Sequence, residues 1–274
     1  MKITLLDKLK MRLMIYSQLH RLPSLKEALR IFINPIVSTR DVEFSYLIKF
    51  LQHNKLQPEN ILDLSSPFIL AYVLSVKGKV VKTDINPAER EMIKENPNLR
   101  FKVEDGTKLS FTDNTFDLVY SISVIEHIYQ KYSEAVVEMI RVLKPGGYLY
   151  LTFPVAAKHT EEWLEQKTYP TQFENAGKAF FQYRFDQNDV DRILVESQDV
   201  DVVDRSIYWE RTDGVYDRTM MRLHKKPYCS KFITIRNGYI NLCSSIFLME
   251  DKPSDFEKAK SFGNLSIILR KKQA

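Results

Sequence analysis

Between residues 57 and 153, short apolar runs alternate with longer stretches whose apolar residues recur at helical spacing. The apolar runs at residues 60–64, 79–83, 100–103, 116–122 and 147–153 are predicted to be strands. Helices are predicted between them at residues 67–76, 87–94 and 133–143. Because parallel strands need a long crossover connection, this order predicts an α/β fold with a parallel sheet covered by helices on both faces.

The segments on either side of this core give less regular patterns. We predict helices at residues 159–166 and 186–196, a strand at 199–209, a helix around 232–249 and a final strand at 264–270. Residues 1–53 have three helical patterns, the first with basic residues between its leucines. Such a helix can lie on a membrane surface. Amphipathicity mostly reports a core-facing side, so we expect residues 1–55 to form a helical cap packed on a domain formed by residues 56–274.

Composition excludes several classes of protein. The 8 glycines form neither a G-x-G-x-x-G fingerprint nor a P-loop, which disfavours ordinary nicotinamide or flavin enzymes and P-loop NTPases. The net charge of +5 is too small to indicate a nucleic-acid partner. The 2 cysteines and 5 histidines show no metal-ligand spacing, so no metal is predicted. Without a secretory signal or an apolar segment long enough to span a bilayer, we expect a soluble, cytoplasmic protein with no integral membrane association.

Polar residues stand at the ends of the first four predicted strands, at Asp63, Asp84, Asp105 and residues 121–126. Ligands of open parallel sheets bind at the carboxyl ends of the strands. A carboxylate that ends the second strand can accept hydrogen bonds from both hydroxyls of a ribose, which favours Asp84 as a ribose ligand. The alternative is that Asp84 caps the short helix predicted to begin at Pro87.

Several short motifs occur in order within residues 61–155, and the ordered set is more specific than any one of them. They include Ile61-Leu62-Asp63-Leu64, Thr83-Asp84-Ile85-Asn86, Asp105-Gly106-Thr107, Phe116-Asp117-Leu118-Val119, Glu126-His127 and Leu143-Lys144-Pro145-Gly146-Gly147. Together they resemble class I S-adenosylmethionine-dependent methyltransferases, particularly those that act on small molecules. The resemblance implies a Rossmann-like, doubly wound sheet of seven mostly parallel strands, with the final pair antiparallel. It also implies S-adenosyl-L-methionine as the cofactor.

The resemblance assigns cofactor contacts to particular residues. Asp84 would bind the ribose hydroxyls, and Asp105, beside the Gly106 backbone, would accept a hydrogen bond from the adenine amino group. Ser121 and Ile122 would flank the methionine portion. The complete set is Asp63, Ser65, Ser66, Asp84, Ile85, Asp105, Gly106 and Ser121.

The first loop departs from the family pattern Asp-x-Gly-x-Gly-x-Gly. Ser65, Pro67 and Ile69 replace the three glycines, which normally allow positive φ and close approach of the backbone to the ligand. Ser66 is a good N-cap and Pro67 suits the first helical position. We therefore predict a capped helix start whose Ser65 and Ser66 hydroxyls and free amides meet the methionine carboxylate. The alternative is a closed pocket in a binding or scaffold protein without cofactor.

The acceptor side has fewer signals. His127 could act as a general base, or it could form a local structural hydrogen bond. Tyr183 and Arg184 could anchor an anionic or sugar-like acceptor, although a core tyrosine and a solvated arginine are equally ordinary. The expected reaction is methyl transfer to an oxygen or nitrogen of a small molecule, such as a sugar, glycan precursor or secondary metabolite. The alternative is a non-catalytic protein of the same fold, and the oligomeric state is left open.

Overall fold

The computed structural model describes residues 1–33, 38–167, 170–218, 249–252, 256 and 259–273. The strands are β1 (Asn60–Leu64), β2 (Lys79–Asp84), β3 (Leu99–Val103), β4 (Phe116–Ile122), β5 (Leu143–Val155), β6 (Thr160–Leu164), β7 (Glu174–Asn175), β8 (Lys178–Arg184), β9 (Val200–Glu210), β10 (Met249–Lys252) and β11 (Gly263–Lys271). The helices are α1 (Leu5–Tyr16), α2 (Leu25–Ile33), α3 (Ser38–His53), α4 (Ile69–Leu74), α5 (Tyr132–Val142) and α6 (Gln187–Glu196). Short 3₁₀ helices cover Leu19–Arg21, Pro87–Met92 and Ile125–His127.

Within these residues, the main sheet has eight strands in the order β3-β2-β1-β4-β5-β11-β9-β10. The strands β1 to β5 pair in parallel. β11 is antiparallel to both β5 and β9, as the family resemblance implied. The predicted mostly parallel, doubly wound sheet is therefore confirmed, and β10 adds an antiparallel edge strand that the sequence did not predict.

The prediction of a helix at residues 159–166 is wrong, because this segment contains β6. β6 pairs antiparallel with β8, and β8 also pairs with β7, giving a separate sheet of three strands. The partner strand lies about twenty residues away, so pairing overrides the helix propensity of the glutamates in this segment. The helix predicted around residues 232–249 lies almost entirely outside the described residues, and its last residue, Met249, begins β10 instead.

Two hydrophobic clusters cover the two faces of the main sheet. One contains Met11 and Ile15 of α1 together with Phe44 of α3, Leu70 of α4 and Ile61 of β1. The other joins α5, α6 and the second sheet to β4, β5, β9 and β11. The amino-terminal helices therefore share a core with the sheet. None of the helices in the described ranges is both long enough and apolar enough to cross a membrane.

Candidate functional site

A cleft of about 480 Å³ opens where β1, β2, β3 and β4 end. Six of the predicted site residues line it, namely Ser65, Asp84, Ile85, Asp105, Gly106 and His127. The structure adds Ser123, Tyr129 and Phe173, among others, to the opposite wall. The cleft has the size and the position expected of a ligand site in an open α/β sheet.

Asp84 is the last residue of β2, and its carboxylate has a fixed orientation. Its Oδ1 accepts a hydrogen bond of 2.8 Å from the amide of Asn86. Asn86 in turn is the N-cap of the 3₁₀ helix Pro87–Met92, because its side chain accepts from the amide of Ala88 at 3.1 Å. The alternative that Asp84 caps this helix is therefore wrong. Among the described residues, no hydrogen-bond partner is found for Asp84 Oδ2.

Asp105 and Gly106 form the turn after β3. Oδ1 of Asp105 accepts from the amide of Thr107 at 2.9 Å and from its hydroxyl at 2.8 Å. A Cβ on Gly106 would lie 3.2 Å from Cδ2 of Leu64, so the glycine backbone packs directly on a leucine that also lines the cleft. The two carboxylates, Asp84 and Asp105, thus line the same cleft from neighbouring strands.

The loop after β1 keeps a left-handed turn without glycine. Ser65 has φ +52°, a conformation that costs a non-glycine residue about 1–2 kcal/mol. Its amide donates to the carbonyl of Thr83 at 2.9 Å, and the amide of Ser66 donates to Asp63 at 2.9 Å. Neither amide is free for a ligand, which corrects that part of the sequence prediction. α4 begins at Ile69 with Phe68 as its N-cap, so the predicted cap at Ser66 is also wrong.

Three residues that were predicted to contact the cofactor are buried and are not among the described residues that line the cleft. Asp63 is fully buried, accepts from the hydroxyl of Tyr120 at 2.7 Å and lies 3.6 Å from Nζ of Lys82. Burial raises its pKa, although Lys82 and Tyr120 oppose that shift. The other two, Ser66 and Ser121, are also buried: the Ser66 hydroxyl accepts from the amide of Ile122 at 3.0 Å, and the Ser121 hydroxyl donates to the carbonyl of Leu64 at 3.3 Å.

His127 ends the 3₁₀ helix Ile125–His127 and faces the cleft. Its Nδ1 lies 2.5 Å from the carbonyl oxygen of Phe181, and because a carbonyl can only accept, Nδ1 carries the proton. Burial lowers the pKa of His127 to about 4, with the Phe181 carbonyl acting in the opposite direction. The ring is therefore neutral at pH 7, with the basic lone pair on Nε2.

A buried polar network behind the cleft was not predicted from the sequence. Glu43 of α3 accepts through Oε1 from the side chains of Ser123 (2.8 Å), Thr152 (2.5 Å) and Asn264 (3.1 Å), and through Oε2 from Arg40 (2.5 Å). Arg40 lies on α3 itself, whereas Ser123 follows β4 and Thr152 and Asn264 lie near the ends of β5 and β11. The only sequence signal was a pair of acids, Asp41 and Glu43, placed between apolar residues of a helix. The network fastens α3 to the edge of the sheet beside the cleft.

The two predicted acceptor contacts are not brought together in the cleft. Tyr183 is buried among aromatic rings, and its hydroxyl accepts from the amide of Gln130 at 3.2 Å. Arg184 forms an ion pair with Asp217 at 2.6 Å and lines a second cavity of about 710 Å³. Successive residues of a strand point to opposite faces, so neighbours on β8 reach different surroundings.

Comparison with known proteins shows where the chain resembles a known family. Residues 66–151 match the family model described as "Methyltransferase domain". The match spans β2, β3, β4 and most of β5, so this part of the sheet belongs to a segment similar to a methyltransferase domain.

Similar proteins are methyltransferases as well. Phthiotriol/phenolphthiotriol dimycocerosates methyltransferase 1 of Mycobacterium ulcerans is 37% identical over 67 residues, covering 24% of this chain and 24% of that protein. A ubiquinone/menaquinone biosynthesis C-methyltransferase of Stutzerimonas stutzeri is 34% identical over 94 residues, covering 32% and 36%. The chain thus matches only about a quarter to a third of the length of these relatives. The fold resembles that of coclaurine N-methyltransferase bound to N-methylheliamine and SAH, with a TM-score of 0.53, 16% identity and coverage of 84% and 73%.

S-adenosylmethionine is the cofactor that the resemblance to methyltransferases implies, and the polar residues of the cleft fit this cofactor in part. Two carboxylates at strand ends suit hydroxyl and amino donors, and each has one oxygen held by the local backbone. The turn at Ser65 keeps the backbone conformation that glycine usually supplies. The amides of Ser65 and Ser66 are already used, so the methionine carboxylate would have to find other donors.

Proposed function

We propose that this protein transfers the methyl group of S-adenosylmethionine to an oxygen or nitrogen atom of a small-molecule acceptor in the cytoplasm. The observation that carries the proposal is that Asp84, Asp105 and His127 line one cleft. The cleft therefore contains two carboxylates that can bind a nucleoside, together with the neutral imidazole of His127. The small excess of basic residues supports a small molecule over nucleic acid as the acceptor.

Each of these residues has a proposed task. Asp84 accepts from the ribose hydroxyls, and Asp105 accepts from the adenine amino group. Ser65 and Ile85 contact the cofactor from the same wall of the cleft. The cofactor, when bound, supplies an electrophilic methyl group on a positively charged sulfur.

His127 is the proposed general base. Nε2 of His127 would take the proton of the acceptor's hydroxyl or amino group as that atom receives the methyl group. Donation from Nδ1 to Phe181 fixes the tautomer that leaves Nε2 basic. A pKa of about 4 keeps this nitrogen unprotonated throughout the neutral range, at the expense of basicity.

Calorimetric titration with S-adenosylmethionine and S-adenosylhomocysteine tests the proposal. Asp84→Ala should weaken binding about thirtyfold to a thousandfold, since two charge-assisted hydrogen bonds are lost and water compensates in part. Asp84→Asn should weaken it less, because an amide oxygen still accepts. Asp201→Ala, which removes an exposed carboxylate on β9, is the control and should bind as the unmodified protein does. If Asp84→Ala bound both ligands as tightly as the unmodified protein, Asp84 would not be a ribose ligand.

A non-catalytic binding protein is the second candidate, favoured by the replacement of three glycines by Ser65, Pro67 and Ile69. The same titration separates the two candidates. Saturable binding of either ligand supports the methyltransferase, and absence of binding of both supports the alternative.

A further inference from the structure

The first helix presents leucines to solvent as well as to the core. Met11 and Ile15 of α1 are buried in the cluster shared with α3 and α4. On the other side of the same helix, Leu5, Leu6, Leu9 and Leu13 are 49–70% exposed. At 100° per residue these four leucines fall within about a quarter of the helix circumference. Helix α1 therefore has an apolar stripe with no described partner.

The second helix repeats the arrangement. Ile31 of α2 is buried, while Leu25, Leu29, Phe32 and Ile33 are 46–76% exposed. The rings of Tyr16 and Phe32 lie 5.6 Å apart, which joins the exposed sides of α1 and α2 at their carboxyl ends. We call these eight exposed side chains, four from each helix, the α1–α2 face.

The amino-terminal segment that carries this face has a positive net charge. Residues 1–33 contain seven lysines and arginines and two acids, a net charge of +5. The rest of the chain contains 33 basic and 33 acidic residues, so the entire net charge of +5 belongs to this segment. Lys10 and Lys26, both exposed, lie on the two helices themselves.

We propose that the α1–α2 face docks on a membrane surface that contains anionic lipids. Helices with exposed leucines and flanking lysines and arginines lie in the plane of the interface, with the apolar side chains among the acyl chains and the basic ones at the headgroups. A second copy of this chain is a poor occupant, because it would bring another charge of +5 against the first.

The face lies near the cleft. The guanidinium of Arg30 on α2 stands 5.9 Å from the ring centre of Phe68, at the start of α4. Arg30 also interacts electrostatically with Glu89, which lines the cleft. Docking through α1 and α2 would therefore bring the cleft close to the bilayer surface. The docking itself does not depend on the proposed methyl transfer.

Sedimentation with lipid vesicles tests the proposal. The full chain should bind vesicles containing about one-third phosphatidylglycerol in phosphatidylcholine more tightly than phosphatidylcholine alone, and added salt should weaken this binding. The variant Leu5→Gln/Leu9→Gln/Leu13→Gln should bind at least about tenfold more weakly, as should Lys10→Glu/Lys26→Glu on the anionic vesicles.

The matched control is Val137→Gln/Val195→Gln, which removes exposed apolar side chains from α5 and α6 and should bind vesicles as the unmodified chain does. All variants change exposed residues, and circular dichroism checks that they are folded. Failure of the full chain to bind either vesicle, or equal binding by the leucine variant, would overturn the proposal. So would a stable dimer that the leucine variant converts to a monomer, since the face would then be a subunit interface. Titration with S-adenosylhomocysteine tests the methyltransferase function separately.

Discussion

The carboxyl group of Glu126 is almost fully buried, and its Oε2 has no hydrogen-bond partner among the described residues. Burial raises its pKa to about 8; Glu43 nearby acts in the same direction, and Arg40 opposes it. At pH 7 Glu126 is therefore protonated. It lies 3.9 Å from Nε2 of His127, so the proposed base has a neutral neighbour.

The raised pKa of Glu126 predicts a stability that falls as the pH rises. Between about pH 4.5 and pH 8 the folded protein keeps a proton that the unfolded chain has lost, so the free energy of unfolding decreases by up to about 1.4 kcal/mol per pH unit. Urea unfolding of Glu126→Gln should lack this contribution, so the free energy of unfolding should fall by up to about 5 kcal/mol less across this pH window than in the unmodified protein. Glu134→Gln, an exposed glutamate of α5, should follow the unmodified protein. Parallel pH profiles for both variants would show that Glu126 is charged in the folded state.

Strand-end reasoning predicts where a residue lies but not which way it points. Asp84 and Asp105 line the cleft, as predicted from their positions after β2 and β3. Asp63 ends in a buried contact because Tyr120, 57 residues later, supplies its hydrogen bond. Ser66 and Ser121 are likewise occupied by partners on a neighbouring strand. Such contacts form only when the strands pair in the sheet, so a local sequence pattern does not predict them.

Helix α3 is fastened to the sheet through Glu43, which also forms a buried ion pair with Arg40 of the same helix. Glu43 is fully buried and Arg40 largely so, and both also bond to Ser123 after β4. The hydrogen bond between Glu43 and Ser123 joins this helix to the end of a strand 80 residues later. Among the elements, the strands β1 to β5 and β11 follow the apolar runs read from the sequence to within a few residues. β6 does not, because its strand form depends on pairing with β8.

Replacing Glu43 should destabilise the protein strongly. Glu43→Gln leaves the arginine as an unpaired, largely buried charge, and we expect a loss of about 3 kcal/mol in the free energy of unfolding by urea. The double variant Arg40→Gln/Glu43→Gln should lose less free energy of unfolding than the two single variants lose together, because both charges of the pair are removed. Glu27→Gln breaks a more exposed pair with Arg30 on α2 and should cost about 0.5 kcal/mol or less. If the losses of the Arg40→Gln and Glu43→Gln variants simply added in the double variant, the two side chains would not be energetically coupled.

Considered as a whole molecule, the amino-terminal helices share one of the two hydrophobic clusters with the sheet. The sequence predicted these helices and a boundary near residue 55, but it could not indicate how much core they share. Strand order was likewise available only through the resemblance to a family, since apolar runs carry no information about which strands become neighbours. The observed sheet has the seven mostly parallel strands that the resemblance implied, with β10 as one added edge strand.

A shared core predicts a single cooperative unfolding transition. Met11→Ala, which empties a fully buried site in α1, should lower the free energy of unfolding by about 2–4 kcal/mol. The far-ultraviolet and near-ultraviolet dichroism signals should shift together, because helices and sheet unfold as a unit. Leu9→Ala changes an exposed residue of the same helix and should have little effect. A shift confined to the far-ultraviolet signal would indicate that the amino-terminal helices unfold separately.

The positions of the two tryptophans give the protein a built-in optical signal. Trp163 lies 5.7 Å from the ring of Tyr129, which lines the cleft and stacks on Phe173 at 4.3 Å. Trp209 is buried in β9 against Gly263, where a Cβ would come within 2.3 Å of its ring. Emission from Trp209 should therefore report the folded sheet, whereas we expect emission from Trp163 to change when a ligand in the cleft moves the neighbouring ring of Tyr129. Ligands can be screened by intrinsic fluorescence, without a label.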